Sequence, residues 1–182
     1  MIPSVVFALV SVPIIWVSRR SLLHPTSHGF SRFFAFEAIL ALIVLNAPHW
    51  FVQPFGVRQL VSWFLLSVSA VFVVWGLLLL RRLGGFQPTA EVSPQFEWEN
   101  TGHLVTTGVY RYIRHPMYAS LLFLSWGALL KDVTIGTFVL AGVATLALAA
   151  TAKAEEAENV TRFGQEYREY MKRTRRFVPF LL

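Results

Sequence analysis

Two groups of polar side chains stand out in a chain that is otherwise mostly apolar. The first is the run Tyr110-Arg111-Tyr112-Ile113-Arg114-His115-Pro116-Met117-Tyr118, two residues after Gly108. Gly108 permits a tight or positive-φ turn, and Pro116 suits the first turn of a helix, where its missing N–H costs nothing. His115 then falls at the helix start, beside unpaired N–H groups that favour an anionic group of a ligand. Arg111 and Arg114 add positive charge, and Tyr110, Tyr112 and Tyr118 offer flat faces and hydroxyls. Such a cluster suits a ligand with a carboxylate and an aromatic or cationic part. The second group is Glu155, Glu156 and Glu158, then Phe163-Gly164, Tyr167 and Tyr170. Glu155 and Glu158 share a helix face, while Glu156 lies about 100° away. Glutamates in surroundings rich in cations suit a ribose diol or an ammonium group. For Glu158 the purely structural alternative is preferred, an ion pair with Arg162, Lys153 or Arg111.

The elements that must position these groups follow from composition. The chain has 182 residues, 55% hydrophobic and only 14% charged, where a soluble domain carries about 25% charged residues. The apolar residues come in long blocks, as in a polytopic membrane protein. Spanning helices of roughly 20 apolar residues are expected over 2–17, 33–52, 57–80 and 133–152. A shorter one runs from 116 to 130, with only Lys131-Asp132 before the next. The expected fold class is therefore all-α, with five transmembrane helices, the last two a short antiparallel hairpin. Cytoplasmic C-terminal helices follow, with Gly164 as a helix stop.

Basic residues orient this arrangement. Of sixteen Lys and Arg residues, fourteen fall on one side if five spans alternate, leaving only Arg58 and Lys131 opposite. The positive-inside rule then puts the N-terminus outside and the C-terminus in the cytoplasm. The charge of +6 is read as this asymmetry, with no nucleic-acid partner. The first segment has its arginines after the apolar run, as expected of a retained span and not a cleaved signal. Trp16, Trp50, Trp63 and Trp75 sit near span ends, as interfacial anchors do.

The polar residues gather in two stretches, 84–115 (with Trp98) and 153–182, which lie on the same face and can meet. The chain reads as a single membrane-embedded domain, residues 1–182. Residues 1–82 form three N-terminal spans and 83–182 a half that carries the chemistry. With no cysteine, disulfides and thiolate chemistry are excluded. His24, His28 and His103 lack metal-ligand spacing, so no metal site is expected. Glu37 is expected one turn inside the second span, near the interface, within reach of Arg32. Asn46, Pro48 and His49 read as a kink with headgroup contact.

The ordered set Gly108-Val-Tyr110, Arg114-His115-Pro116-Met117-Tyr118, Glu155-Glu156, Phe163-Gly164, Tyr167, Tyr170 and Arg176-Phe177-Val178-Pro179 resembles the isoprenylcysteine carboxyl methyltransferase family of integral-membrane enzymes. The likeness covers residues 104–180, under half the chain, and departs from the family at Asn159 and Ser120. It implies an S-adenosyl-L-methionine-dependent carboxyl O-methyltransferase without a Rossmann domain, acting on a lipid-like or prenylated acceptor at the inner membrane face. This chain has no Gly-x-Gly-x-x-Gly sequence. On that resemblance, His115 with the backbone at Pro116 and Met117 would hold the methionyl end of the cofactor. Glu155 or Glu156 would take its ribose or amine. Tyr110, Tyr118 and Tyr167 would line the adenine or face the sulfonium, a cation–π partner. Arg111, Arg114 and Arg176 are the candidates to position the acceptor carboxylate.

Three other readings compete. A phospholipid amine or small thiol could be the acceptor, and a neutral acceptor would need a base from His115 or the glutamates. A nicotinamide-dependent membrane reductase of the sterol-reductase type would need more spans. A non-catalytic scaffold is the third.

Overall fold

The computed structural model describes residues 2–85 and 101–179; Trp98 and Phe180 lie outside that set. Six α-helices follow in order: α1 (Ile2–Leu22), α2 (His28–Asn46), α3 (Val57–Leu83), α4 (Pro116–Leu129), α5 (Ile135–Phe163) and α6 (Gln165–Arg173). A 3-10 turn, Ala47–His49, closes α2, and another, Gly108–Arg111, precedes α4. No strand forms among the described residues. Four helices, α1, α2 with its closing turn, α3 and α5, are long and apolar enough to cross a membrane, as in a multi-pass membrane protein. The fourteen residues of α4 rise about 21 Å, short of a hydrocarbon core of about 30 Å. The boundaries differ from those read in the sequence. α2 starts five residues earlier, at His28, and α5 runs on past Ala152 to Phe163. Glu37 therefore lies mid-helix, where its Oε2 accepts from the Ser11 hydroxyl of α1 at 2.7 Å.

Close packing in this bundle rests on small residues, which let backbones approach where lipid supplies little hydrophobic drive. Ala141, Ala144, Leu148 and Ala152 of α5 recur at helical spacing and are buried, as are Ala35, Ala38 and Leu42 of α2, which packs beside it. α3 meets α4 at two glycines. A Cβ on Gly127 would sit 3.0 Å from Leu66, and one on Gly76 3.3 Å from Pro116. α5 starts at a capping box, in which Thr134 and Thr137 each accept the other's backbone N–H, satisfying two donors that the helix leaves open.

The far end of α4 is held by polar side chains from its neighbours. Asn46, fully inside the bundle, donates to the carbonyls of Ala128 (2.7 Å) and Asp132 (3.1 Å). Ser62 donates to Gly127 O at 2.6 Å. Lys131 is completely buried: its ammonium donates to Gln59 Oε1 at 3.0 Å and lies 3.4 Å from the Trp63 ring centre and 5.4 Å from that of Trp50. The last carbonyls of a helix have no partner within it, and in an apolar setting they must find one elsewhere. Asn46 is thus a cap for α4 and not a headgroup contact. Trp50 and Trp63 are walls of a lysine cage as well as residues near helix ends.

At the opposite end, the chain leaves α3 at Gly85 and returns beside it, with Gly102 N donating to Gly85 O at 2.6 Å and His103 N to Gly84 O at 3.0 Å. Glu158 of α5 takes a partner that the sequence reading did not foresee. It accepts from His28 Nδ1 at 2.7 Å and from the His28 backbone N–H at 3.3 Å, tying the start of α2 to α5.

Candidate functional site

Residues 104–118 and 174–177 are brought together by backbone hydrogen bonds. Ile113 and Arg175 form a parallel bridge. Arg175 N donates to Tyr112 O (3.0 Å), Arg114 N to Arg175 O (2.8 Å) and His115 N to Arg176 O (3.1 Å). Upstream, Gly108 takes φ +60°, and a Cβ there would fall 2.5 Å from Leu79 of α3. Glycine therefore lets the turn lie against α3. The turn buries Tyr110, whose hydroxyl donates to Gly76 O at 3.4 Å and whose carbonyl accepts from the Tyr170 hydroxyl at 2.6 Å. Gly164, at φ +59°, ends α5 and folds α6 back, which buries Tyr167 and Tyr170.

These segments enclose a recess with about 670 Å³ of empty space, counting its open mouth. Tyr110, Arg114, His115, Pro116, Met117 and Tyr118 line one side. Glu155 and Tyr167 line the other, with Asn159, Phe163 and Tyr170, while Thr101, Leu104, Val105 and Leu80 complete the wall. Three sequence candidates lie elsewhere. Glu156 is buried behind the wall, Arg176 is behind Glu156, and Arg111 is exposed on the far side of Tyr170.

The twin glutamates have different surroundings. Glu156 is 5% exposed at its side chain and is held by two guanidinium groups. Arg114 reaches its Oε1 from Nε and Nη2, both at 2.9 Å; Arg176 donates from Nε to Oε1 at 3.1 Å and from Nη2 to Oε2 at 2.6 Å. The carboxylate beside Arg176 holds that guanidinium's pKa above its ordinary value, against the opposing effect of partial burial. Arg114 is further committed through Nη1 to the carbonyls of Met171 (3.2 Å) and Thr174 (2.5 Å). Glu155 is 28% exposed, faces the recess and accepts from the Tyr118 hydroxyl at 2.5 Å.

His115 stands between them, at the N-cap of α4. Its buried ring stacks on Tyr118, with centres 5.4 Å apart and planes at 18°. Nδ1 is 3.9 Å from Glu155 Oε1 and Nε2 is 3.4 Å from Glu156 Oε1. Both are within range for charge attraction, but Nε2 has no hydrogen bond of proper geometry. Burial raises the Tyr167 phenol well above its usual range; the hydrogen bond from Asn159 and the charge of Arg114 oppose this, while Glu155 and Glu156 reinforce it. Burial likewise raises Tyr170. Both phenols are therefore neutral hydroxyls at physiological pH.

Chemically, the recess combines aromatic faces, one accessible carboxylate and the open first turn of α4. The buried His115 imidazole lies beside them, its Nε2 3.4 Å from Glu156 Oε1. A ligand with a cationic centre, a carboxylate and a flat ring would find a complement for each part. Sequence reasoning missed Asn159, Phe163 and Thr101 as lining residues. Glu155, Asn159 and Phe163 recur every four residues, a helical stripe that would have marked the first two of these omissions.

Comparison with known proteins gives the chemistry a context. The family model described as phospholipid methyltransferase matches residues 57–166. The chain is 27% identical over 157 residues, 76% of its length and 56% of the relative's, to methanethiol S-methyltransferase of Pseudomonas deceptionensis. It is 23% identical over 154 residues, 79% of its length and 59% of the relative's, to methanethiol S-methyltransferase of Crocosphaera subtropica. Over 87 residues, 45% of this chain and 36% of the relative, it is 36% identical to protein-S-isoprenylcysteine O-methyltransferase of Schizosaccharomyces pombe. The chain thus spans little more than half the length of the methanethiol enzymes it matches. No solved structure matches it significantly.

Proposed function

That the chain belongs to the phospholipid methyltransferase family, and is of the isoprenylcysteine methyltransferase-like kind, is the premise from which we propose a membrane methyltransferase that uses S-adenosylmethionine to methylate the sulfur of a small thiol. The observation that carries this acceptor class is the commitment of the arginines. Arg114 spends Nε, Nη1 and Nη2 on Glu156 and the α6 carbonyls, Arg176 is tied to Glu156, and Arg111 lies outside the recess. None offers the two-pronged fork that positions an acceptor carboxylate. A carboxylate in the recess, Glu155, is present instead, and it is what a neutral acceptor needs.

When bound, the cofactor supplies an electrophilic methyl on a sulfonium that leaves as a neutral thioether. The chain's own residues do the rest. The open turn at Pro116 and Met117, beside His115, would hold the carboxylate end. Tyr110, Tyr167 and Tyr170 present π faces to the flat and cationic parts. Glu155, steadied by Tyr118, would take the S–H proton of the acceptor. Alignment of the reactants would supply about 7–11 kcal/mol. The recess opens at the cytoplasmic face, in keeping with fourteen basic residues on that side, with α4 as a short fifth crossing paired with α5.

Purified protein given labelled donor and either methanethiol or N-acetyl-S-farnesylcysteine tests the reading. Transfer to the thiol, lost in Glu155→Gln with S-adenosylhomocysteine still bound, is the expected result. Transfer to the prenyl carboxylate alone overturns it. That second reading, carboxyl O-methylation, draws on the likeness to the yeast enzyme.

A further inference from the structure

Arg111 was singled out by the sequence and left unused by the recess, and its actual surroundings are informative. It is exposed and lines a second hollow with Tyr112, Lys172, Arg173, Arg175 and Pro179, about 570 Å³ of empty space open to solvent. Four of these six are cations and none is acidic. Lys172 is paired with Glu169 at 2.7 Å, but Arg111, Arg173 and Arg175 have no carboxylate within ion-pair distance among the described residues. Arg111 and Arg173 also line the adjoining hollow with Glu166 and Glu169, but four cations against these two carboxylates leave an excess of positive charge that favours an anionic occupant.

The hollow is also built, not a chance gathering of long side chains. Its two walls, residues 111–112 and 172–175, come from separate parts of the chain and are joined by the backbone bonds between Tyr112, Arg114 and Arg175. Neighbours in an extended segment point to opposite faces. Arg176 turns inward to Glu156, and Arg175 turns outward into the hollow.

Its depth identifies the occupant. Val109, Ile113 and Phe177, adjacent in the chain to these walls, pack in one cluster with Ala35, Leu148 and Ala152, which belong to the apolar parts of α2 and α5. The cations therefore adjoin the ends of these apolar segments, the level at which lipid phosphates would lie. Tyr112, half exposed beside them, is the residue type that favours this interface. We propose that this hollow binds the phosphate of an anionic phospholipid headgroup.

The test is native mass spectrometry of the full chain released from mixed micelles of phosphatidylglycerol and phosphatidylcholine. Wild-type protein is expected to retain phosphatidylglycerol in preference by about tenfold. Arg111→Gln with Arg175→Gln should reduce the preference to within about twofold, while Arg81→Gln with Arg82→Gln, at the same end of the bundle but outside the hollow, should leave it. Equal retention of the two lipids by wild-type protein overturns the proposal, whatever the variants do. So does loss of the preference in the Arg81 and Arg82 control, which would mean summed charge and not a site. Displacement of the lipid by millimolar inorganic phosphate would identify a free-anion site and also overturn it.

Discussion

Exchanging Glu156 for glutamine and, separately, Glu155 for glutamine should separate structure from chemistry at adjacent positions. Glu156 is almost fully buried between Arg114, itself 9% exposed, and Arg176, 35% exposed. Removing one partner of a buried ion pair costs about 3–5 kcal/mol, because the other charge is left without compensation. The Arg176 half is partly screened by solvent and adds less than about 1 kcal/mol. A total of about 3–6 kcal/mol corresponds to a fall in melting temperature of about 6–24 °C for a chain of this size. Glu155 makes one hydrogen bond from Tyr118 and is 28% exposed. Its exchange should cost about 1 kcal/mol and move the melting temperature by less than about 4 °C, while lowering thiol methylation by about 10²–10⁴-fold as the base is lost. The assay pairs thermal unfolding in detergent with labelled methyl transfer on the same preparations. If Glu156→Gln melts with the wild type and Glu155→Gln is the destabilised variant, the division of roles drawn from the geometry is wrong.

Further outcomes are expected at other points of the fold. Asn46→Leu should destabilise the protein by about 1–3 kcal/mol, since it removes a buried donor from the carbonyls of Ala128 and Asp132, which keep only the Lys131 N–H and the Thr137 hydroxyl; an unchanged melting curve would remove Asn46 as the cap of α4. Arg114→Lys should be more damaging than Arg176→Lys in thermal stability. A single ammonium cannot serve Glu156, Met171 and Thr174 together, whereas Arg176 serves Glu156 alone. Gly108→Ala combines a positive φ with a Cβ 2.5 Å from Leu79 and should cost at least about 1–2 kcal/mol. Weakened S-adenosylhomocysteine binding by calorimetry would show that the turn had moved Tyr110.

Much of this protein is legible in one dimension. Long apolar blocks must become helices, since each backbone group has to be satisfied where water is absent, and Pro116 and Gly164 mark helix ends by chemistry that acts over a few residues. The polar clusters are legible too, because polar groups are too costly to scatter through an apolar chain. Tertiary structure alone decided which of two adjacent glutamates faces the recess. A rotation of about 100° per residue separates them, and only the packing of α5 against its neighbours sets the phase of that rotation. It also sorted three similar arginines into a buried strut at Arg114, a half-exposed clamp at Arg176 and an outward-facing cation at Arg111. The extended pairing of 112–115 with 175–176 fixes which way each one points. Lys131, which reads in the sequence as a charge in a tight connection, became a fully buried cage centre. Its partners Gln59, Trp50 and Trp63 are distant in sequence, and only folding brings them within contact range of its ammonium.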